Sequence, residues 1–502
     1  MKKTISVKNI SHSFFENRVL DDVSFKVTAD ERICIVGDNG TGKSTLLKII
    51  MKEIEPTSGT IENLGHIRCY YVPQEFARDD LALSIEDFIK KHASVTLFKK
   101  IFSTGNALGF NLEKNQKIKC GLLSGGQQKI LALSVGVAVS PDFLLLDEPE
   151  NHLDIVSRLE LIKVLQSYRG GIMFVSHDRL MVDSVATKVA EVVNKKVYIS
   201  EGGYQEYIDN RLSRIAGLQR SFDADSKRIR QLQAMLPILG QKALRGKEVS
   251  TYQKRKEELR LLKEKQADSP RADDSRTKIK LARTGRGLHD GKLLCRIKEL
   301  SFKYEKGAGD IFRNINVEIR TGENIVLLGR NGSGKSTFLK VITNNLPLPP
   351  GKVTWAEGIT TSYFDQHAEF DPHKTAVRVI EEILSCDDKR ARAVLGTMKF
   401  TTDKMTTATG ELSGGERMRL RFALVFGVNA DFIVLDEPTN HLDEVTWQIL
   451  LDACNNSKST IFLVTHDYEF IEGLESKFFW LIKNQTITER HKDLEEIVEE
   501  LR

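Results

Sequence analysis

What the sequence lacks is the first guide to it. No apolar run approaches the roughly 18 residues that cross a bilayer. The longest candidates, Ile130 to Val139 and Phe143 to Leu146, are separated by Ser140, Pro141 and Asp142, so no membrane span is expected. The opening Met1-Lys2-Lys3-Thr4 runs into an alternating strand-like pattern and not into the apolar core of a secretory leader, which makes the cytosol the expected compartment. Cysteine is sparse. The six present (Cys34, Cys69, Cys120, Cys295, Cys386, Cys454) form no pair closer than about thirty residues, which excludes a CxxC zinc or iron–sulfur centre and predicts reduced, structural thiols. With only 11 prolines against 35 glycines, and with 40% hydrophobic and 28% charged residues, the chain is neither collagen-like nor low-complexity nor mostly disordered.

Net charge is small too, at +5 from 74 Lys and Arg against 69 Asp and Glu. Its distribution is uneven: residues 205–290 hold 21 Lys and Arg against 12 Asp and Glu, so the excess sits in the middle. A length of 502 residues exceeds one ordinary core and suits two or three domains.

The chain repeats itself. Gly37-Asp38-Asn39-Gly40-Thr41-Gly42-Lys43-Ser44 and Gly329-Arg330-Asn331-Gly332-Ser333-Gly334-Lys335-Ser336 are phosphate-loop patterns, each after an apolar strand and before a helical run. Leu123-Ser124-Gly125-Gly126-Gln127 recurs as Leu412-Ser413-Gly414-Gly415-Glu416, and Leu145-Leu146-Asp147-Glu148-Pro149 as Val434-Leu435-Asp436-Glu437-Pro438. Asn-His-Leu-Asp follows at 151–154 and again at 440–443, then Ser176-His177-Asp178 and Thr465-His466-Asp467, the later blocks all 289 positions apart. Two copies of one domain lie head to tail.

Each block has a chemistry. Glycines let backbone N–H groups converge on phosphates, and the helix that follows adds its partial positive charge. Lys43 and Lys335 then suit the β- and γ-phosphates, with Thr45 and Thr337 beside them in the nucleotide cradle, while Ser44 and Ser336 offer hydroxyls for Mg²⁺. Asp147 and Asp436, ending buried strands, are candidates to hold the same ion, and Glu148 and Glu437 to orient and deprotonate the attacking water. His177 and His466, ending the next apolar strand, are placed to hydrogen-bond the γ-phosphate. Gln74 and Gln366 follow short strands and are candidates to reach Mg²⁺ or the water. Phe14 and Tyr304 end matching segments and are candidates to stack on adenine, with a packed core aromatic as the competing reading.

Together these residues resemble the ATP-binding cassette (ABC) ATPases over nearly all of both halves, the Ser-Gly-Gly block being that family's signature. The resemblance implies an α/β fold of two P-loop NTPase nucleotide-binding domains in tandem, binding ATP and Mg²⁺. It also implies that signature residues of one domain complete the ATP site of the other. The site on Lys43 would be closed by Ser413, Gly414, Gly415 and Glu416, and that on Lys335 by Ser124, Gly125, Gly126 and Gln127. Both copies keep their acidic, glutamate and histidine residues, so both sites are expected to hydrolyse ATP. Asn-His-Leu-Asp after each acidic strand, and only 49 and 46 positions between glutamine and signature, resemble the soluble subfamily F more than the ATPase subunit of a membrane transporter, which is the alternative. A DNA-associated cassette ATPase is a third reading, without zinc-binding cysteines or a basic C-terminal domain to support it.

The segment between the halves reads as a helical hairpin. Ile208, Ile215, Phe222, Ile229 and Leu236 recur every seven residues, with Leu212, Leu218 and Leu232 between them, a coiled-coil stripe. A break is expected at Pro237 to Gly246 and a return helix at about Lys247 to Gln266, giving arms of about 30 residues and ~45 Å. Lys242, Arg245, Lys247, Lys254, Arg255, Lys256 and Arg260 cluster at the tip and return helix and are the candidate RNA contacts. In subfamily F this linker enters the tRNA exit site of the ribosome and contacts peptidyl-site tRNA and ribosomal RNA. The resemblance therefore implies a translation factor or an antibiotic-resistance protein, most simply a monomer, whose grip on the ribosome is timed by ATP. Expected boundaries are 1–204 for the first cassette, 205–290 for the linker, 291–488 for the second cassette and 489–502 for a short charged tail. The first cassette shows no inserted arm, and a C-terminal coiled coil of the kind some relatives use on DNA is not expected. Glu150 stands where the second half has Thr439, and Gln127 where it has Glu416, so the two sites are expected to turn over at different rates.

Overall fold

The computed structural model describes residues 3–15, 17–38, 40–62, 66–245, 247–268, 291–304, 309–343, 346, 352–365, 368–440, 442–490 and 493–501, with side chains of the return helix described to residue 263. Asn39 and Gln366, both candidate site residues, lie outside them.

The two cassettes repeat one topology. In the first, a six-stranded sheet runs Cys69–Val72, Phe143–Asp147, Gly171–Val175, Arg32–Val36, Lys188–Val193, Lys196–Glu201. The second orders its strands identically: Thr361–Tyr363, Phe432–Asp436, Thr460–Val464, Asn324–Leu328, Lys477–Lys483, Thr486–Arg490. The central strands are unbroken apolar runs, because a parallel sheet covered on both faces buries every side chain. A three-stranded antiparallel sheet backs each one, built from Thr4–Phe14, Asn17–Thr28 and Ser58–Glu62 in the first cassette and Leu293–Phe302, Phe312–Arg320 and Val353–Trp355 in the second. Parallel pairing puts the phosphate loop, the acidic pair and the histidine at the carboxyl ends of three adjacent strands, where open α/β sheets bind ligands.

One apolar cluster crosses from one cassette to the other. Ile155 and Val156 of the first cassette pack with Leu442, Ile449 and Leu450 of the second and with Leu494, Ile497, Val498 and Leu501. Here the expected charged tail is corrected: residues Leu494–Leu501 form a helix whose apolar residues recur at helical spacing and are all buried. Its Glu495, Glu496 and Glu499 leave the other face charged. The helix also presents the Leu501 carbonyl to Arg330 Nε (3.0 Å), tying it to the second phosphate loop.

The linker forms a separate unit, Ile199–Thr277. Its first helix, Tyr204–Leu244, runs through Pro237 without the expected break, and the return helix is Val249–Asp268. The arms are therefore unequal, ~60 and ~30 Å at the helical rise. Pro237 lies on the exposed side, while its neighbour Leu239 is buried and Gly240 lies under the Tyr252 ring, so packing against the return helix outweighs the lost hydrogen bond. Ile229 and Leu232 are buried, but Leu218, beyond the reach of the shorter helix, is 42% exposed.

Candidate ATP sites at the cassette faces

Each phosphate loop is shaped by glycines that nothing else can replace. Gly37 and Gly42 have φ of 148° and 102°, and a Cβ on Gly37 would collide with the Val192 carbonyl. Inside the loops, Lys43 Nζ donates to the Gly37 and Asp38 carbonyls (2.7 and 2.9 Å) and Lys335 Nζ to those of Gly329 and Arg330 (2.9 and 3.2 Å). Burial pulls both ammonium groups below their ordinary range, against the acidic residues around them. Exchanging carbonyl dipoles for phosphate charge would strengthen them.

Beside each lysine an oxygen pair converges. Ser44 Oγ donates to Asp147 Oδ1 (3.1 Å) and Ser336 Oγ to Asp436 Oδ1 (3.3 Å), all-oxygen sets that suit a hard divalent cation. The Tyr71 hydroxyl donates to the other Asp147 oxygen (3.0 Å), a contact that no motif announced. Glu148 and Glu437 follow in the left-handed region, with φ of 46° and 47°, strain seldom tolerated away from a functional site. Gln74 Nε2 (2.8 Å) and Asn151 Nδ2 both donate to Glu148 Oε2. In the second cassette, Glu437 Oε1 lies 3.2 Å from His466 Nε2. Burial lifts Glu437 to about 7 against the pull of Lys335 and Arg158, and drives His466 well below its usual range. In the first cassette, Ser176 and His177 of the histidine loop are instead held by Glu150.

Among the described residues the two cavities are lined differently. A cavity of ≈480 Å³ gathers Ser124, Gly125, Gly126 and Gln127 of the first cassette with Asn331, Gly332, Glu437 and His466 of the second. Across it, Asn331 donates its backbone N–H to Asp154 Oδ2 (3.0 Å) and its amide to the His152 carbonyl (2.6 Å). Around Lys43, a cavity of ≈530 Å³ is lined by Phe14, Gly40, Gly42, Ser44, Thr45, Gln74 and Glu148, all of the first cassette. Among the described residues, Ser413, Gly414 and Gly415 do not line it; Asn39 and His441, which match Asn331 and His152 of the other site, lie outside those residues.

Both signatures are also helix caps. Ser124 Oγ accepts from Gln127 N (3.3 Å) and Gln127 Oε1 from Ser124 N (3.0 Å), while Ser413 and Glu416 exchange the same bonds at 3.2 and 2.8 Å. The side chains of Gln127 and Glu416 are thus turned back onto their own helices. Phe14 and Tyr304 are 45% and 43% exposed, which removes the core reading for both. Phe14 stands at a cavity rim, and the Tyr304 hydroxyl reaches Thr337 Oγ1 (3.1 Å).

The histidine loops also differ, through three buried charges confined to the first cassette. Lys129, Glu150 and Arg158 stand where the second has Met418, Thr439 and Trp447. Lys129 Nζ donates to the Pro73 and Asp147 carbonyls (2.8 and 2.9 Å), and burial brings it down to about 8. Glu150 Oε1 accepts from Ser176 Oγ (2.6 Å) and His177 N (3.2 Å), and burial followed by Asp178 raises it to about 7. Thr439 and Thr465 join by one neutral bond of 2.7 Å instead. Sequence reasoning singled out Glu150 and missed the other two, whose partners are distant in the chain.

Of the candidate RNA contacts, Lys242, Arg245, Lys247, Lys254, Lys256 and Arg260 are exposed. Lys242 pairs with Glu248 (2.9 Å), Arg255 with Glu258 (2.6 Å) and Arg260 with Glu257 (2.8 Å).

Comparison with known proteins agrees with this geometry. A family model described as "ABC transporter" matches residues 20–151 and 312–440. The chain is 30% identical to the ATP-binding protein Uup of Buchnera aphidicola (strain APS), over 96% of this chain and 80% of that protein. It is 29% identical to ABC transporter F family member 5 of Arabidopsis thaliana, over 94% and 74%. Among solved structures, one titled "RNase-L Inhibitor" superposes with a TM-score of 0.66 at 20% identity, covering 98% of this chain and 93% of that one.

Proposed function

The chain belongs to the ATP-binding cassette ATPases, subfamily F, and we propose that it uses ATP at two composite sites to time the attachment of its basic hairpin to the ribosome, at the tRNA exit site. The observation that carries this reading is the hairpin itself. Tandem cassettes without a partner explain ATP turnover, whereas an exposed cluster of Lys and Arg on a two-helix arm calls for a phosphate-rich surface. A solved structure of like fold, with a TM-score of 0.65 at 19% identity, is titled as the complex of archaeal ribosomal stalk protein aP1 and archaeal ribosome recycling factor aABCE1. Among the described residues no helix is long and apolar enough to cross a membrane.

In this mechanism Lys43 and Lys335 leave their loop carbonyls for the β- and γ-phosphates. Ser44 with Asp147, and Ser336 with Asp436, would hold Mg²⁺, which when bound would supply charge neutralisation at the phosphates. Glu148 and Glu437 orient and deprotonate the attacking water, and His177 and His466 steady the γ-phosphate. The signature of the opposite cassette, a helix N-terminus aimed at that phosphate, makes closure depend on ATP. Hydrolysis removes the anion that bridges the halves and releases the particle.

The test replaces Glu148 and Glu437 together by Gln and follows the protein through a sucrose gradient with ATP. Retention with ribosomal particles is expected. A folded double variant that stays at the top of the gradient sinks the ribosome reading and leaves the ATPase intact. Drug susceptibility of cells with and without the gene separates a housekeeping role from antibiotic protection.

A further inference from the structure

Arg158 belongs to the first cassette, on the helix Ile155–Ser167, yet it lines the cavity that holds the catalytic residues of the second. Only 8% exposed, it spends one amino group on Asp178 (3.1 Å). Its Nε is fully enclosed with no hydrogen-bond partner among the described residues. The same enclosure leaves His466 Nδ1 unpartnered, on the ring whose Nε2 meets Glu437. The charged groups around the guanidinium come from both sides: Asp178 and Glu150 from its own cassette, Asp467 and Glu437 from the other. Burial opposes its charge, and these four carboxylates together hold it charged.

The internal repeat supplies a control. Trp447 occupies the matching place in the second cassette and performs the first half of the task, donating Nε1–H to Asp467 (2.6 Å) as Arg158 donates to Asp178. A neutral indole would serve to brace that aspartate in either cassette. The cation is the excess, and it faces the second site.

We propose that Arg158 is a positioning residue of the second ATP site, acting in trans: from across the cassette interface it orients the Glu437–His466 pair against the γ-phosphate, while the first site is offered the neutral Trp447 in its place. A guanidinium keeps five donors in a fixed plane, so one edge can remain on Asp178 while Nε and the far edge face the reacting end of the cavity. Because Asp178 adjoins His177, the residue also links the histidine loop of the first site to hydrolysis in the second. The inference rests on the ATPase activity alone and stands or falls apart from the ribosome reading.

The test is steady-state ATP hydrolysis by the full chain carrying Arg158→Ala, Arg158→Trp or Arg158→Lys. The first two are expected to lower kcat by about tenfold or more, with KM for ATP within about twofold, and Lys to restore most of the loss, as for a cation acting on the transition state. Conversion of bound ATP in a single turnover then assigns the site: Arg158→Ala is expected to slow by about tenfold or more the conversion that survives Glu148→Gln and to spare the conversion that survives Glu437→Gln. An unchanged kcat, a loss carried by KM, a Lys variant as slow as Ala, or equal losses in the two glutamine backgrounds each overturns the proposal.

Discussion

The two ATP sites are built from the same motifs at the same spacing, and among the described residues their cavities are walled differently. Around Lys335 the opposing signature, Asp154 and His152 meet the phosphate loop, and the helix Leu494–Leu501 holds Arg330. Around Lys43 the cavity is walled by its own cassette. Motif identity sets what a site can do, and the residues between the motifs are where the two cassettes differ most in buried charge. The first cassette has invested buried charge in those places, Lys129, Glu150 and Arg158, where the second has Met418, Thr439 and Trp447.

The comparison breaks most visibly at the carboxylates proposed to activate water, Glu148 and Glu437. Removing a general base costs on the order of 10²–10³ in rate, and a Glu437→Gln chain, whose assembled site is disabled, is expected to lose more of the total ATPase than Glu148→Gln. Phosphate release by each single variant measures this. Equal losses would mean that the asymmetry of assembly does not persist during turnover.

The second test is smaller and reads the buried charge directly. Glu150 has a folded pKa of about 7 against an ordinary 4.5, so the folded chain holds a proton that the unfolded chain has lost between those values. Stability should therefore fall as pH rises from about 4.5 to about 7, by up to roughly 3 kcal/mol if fully expressed. The groups facing Glu150 are Asp178, Arg158, Lys129 and Cys34, and the nearby cations temper the fall. Denaturant midpoints across that range should flatten in Glu150→Gln, or in Glu150→Thr, which copies the second cassette. A slope unchanged in both variants would assign the titration elsewhere.

The contrast also shows what a sequence can and cannot reveal. Lys43, Ser44, Asp147, Glu148 and their counterparts were legible because each motif is contiguous and repeated, and because a parallel sheet brings strand ends together by rule. The distance from Arg158 to Glu437 is set by the meeting of two cassettes, which no local pattern encodes. Lys129 looked like one charge on an otherwise apolar helix, and its carbonyl partners lie on two separate strand ends. Pro237 read as a break because helix propensity is local, whereas the contacts of Leu239 and Tyr252 are not. The helix Leu494–Leu501 was hidden by composition: four glutamates mask apolar residues at helical spacing.

The smallest of the tests concerns the signatures themselves. Gly126 and Gly415 are equivalent, but a Cβ would meet different neighbours. On Gly126 it collides with the His152 carbonyl, backbone that also accepts the Asn331 amide and so belongs to the closed face of the second site. Among the described residues, on Gly415 it meets Asp443 Oδ2, the end of a side chain and not backbone. Overpacking against backbone costs about 1–3 kcal/mol, so Gly126→Ala is expected to slow ATP turnover by about tenfold and Gly415→Ala by only a few-fold. The measurement is the ATPase rate of each variant with its melting temperature as a control for folding. If Gly415→Ala proves the worse, the first site must close more tightly during the cycle than the second, and the order of events between the two sites is the reverse of the one their resting geometry suggests.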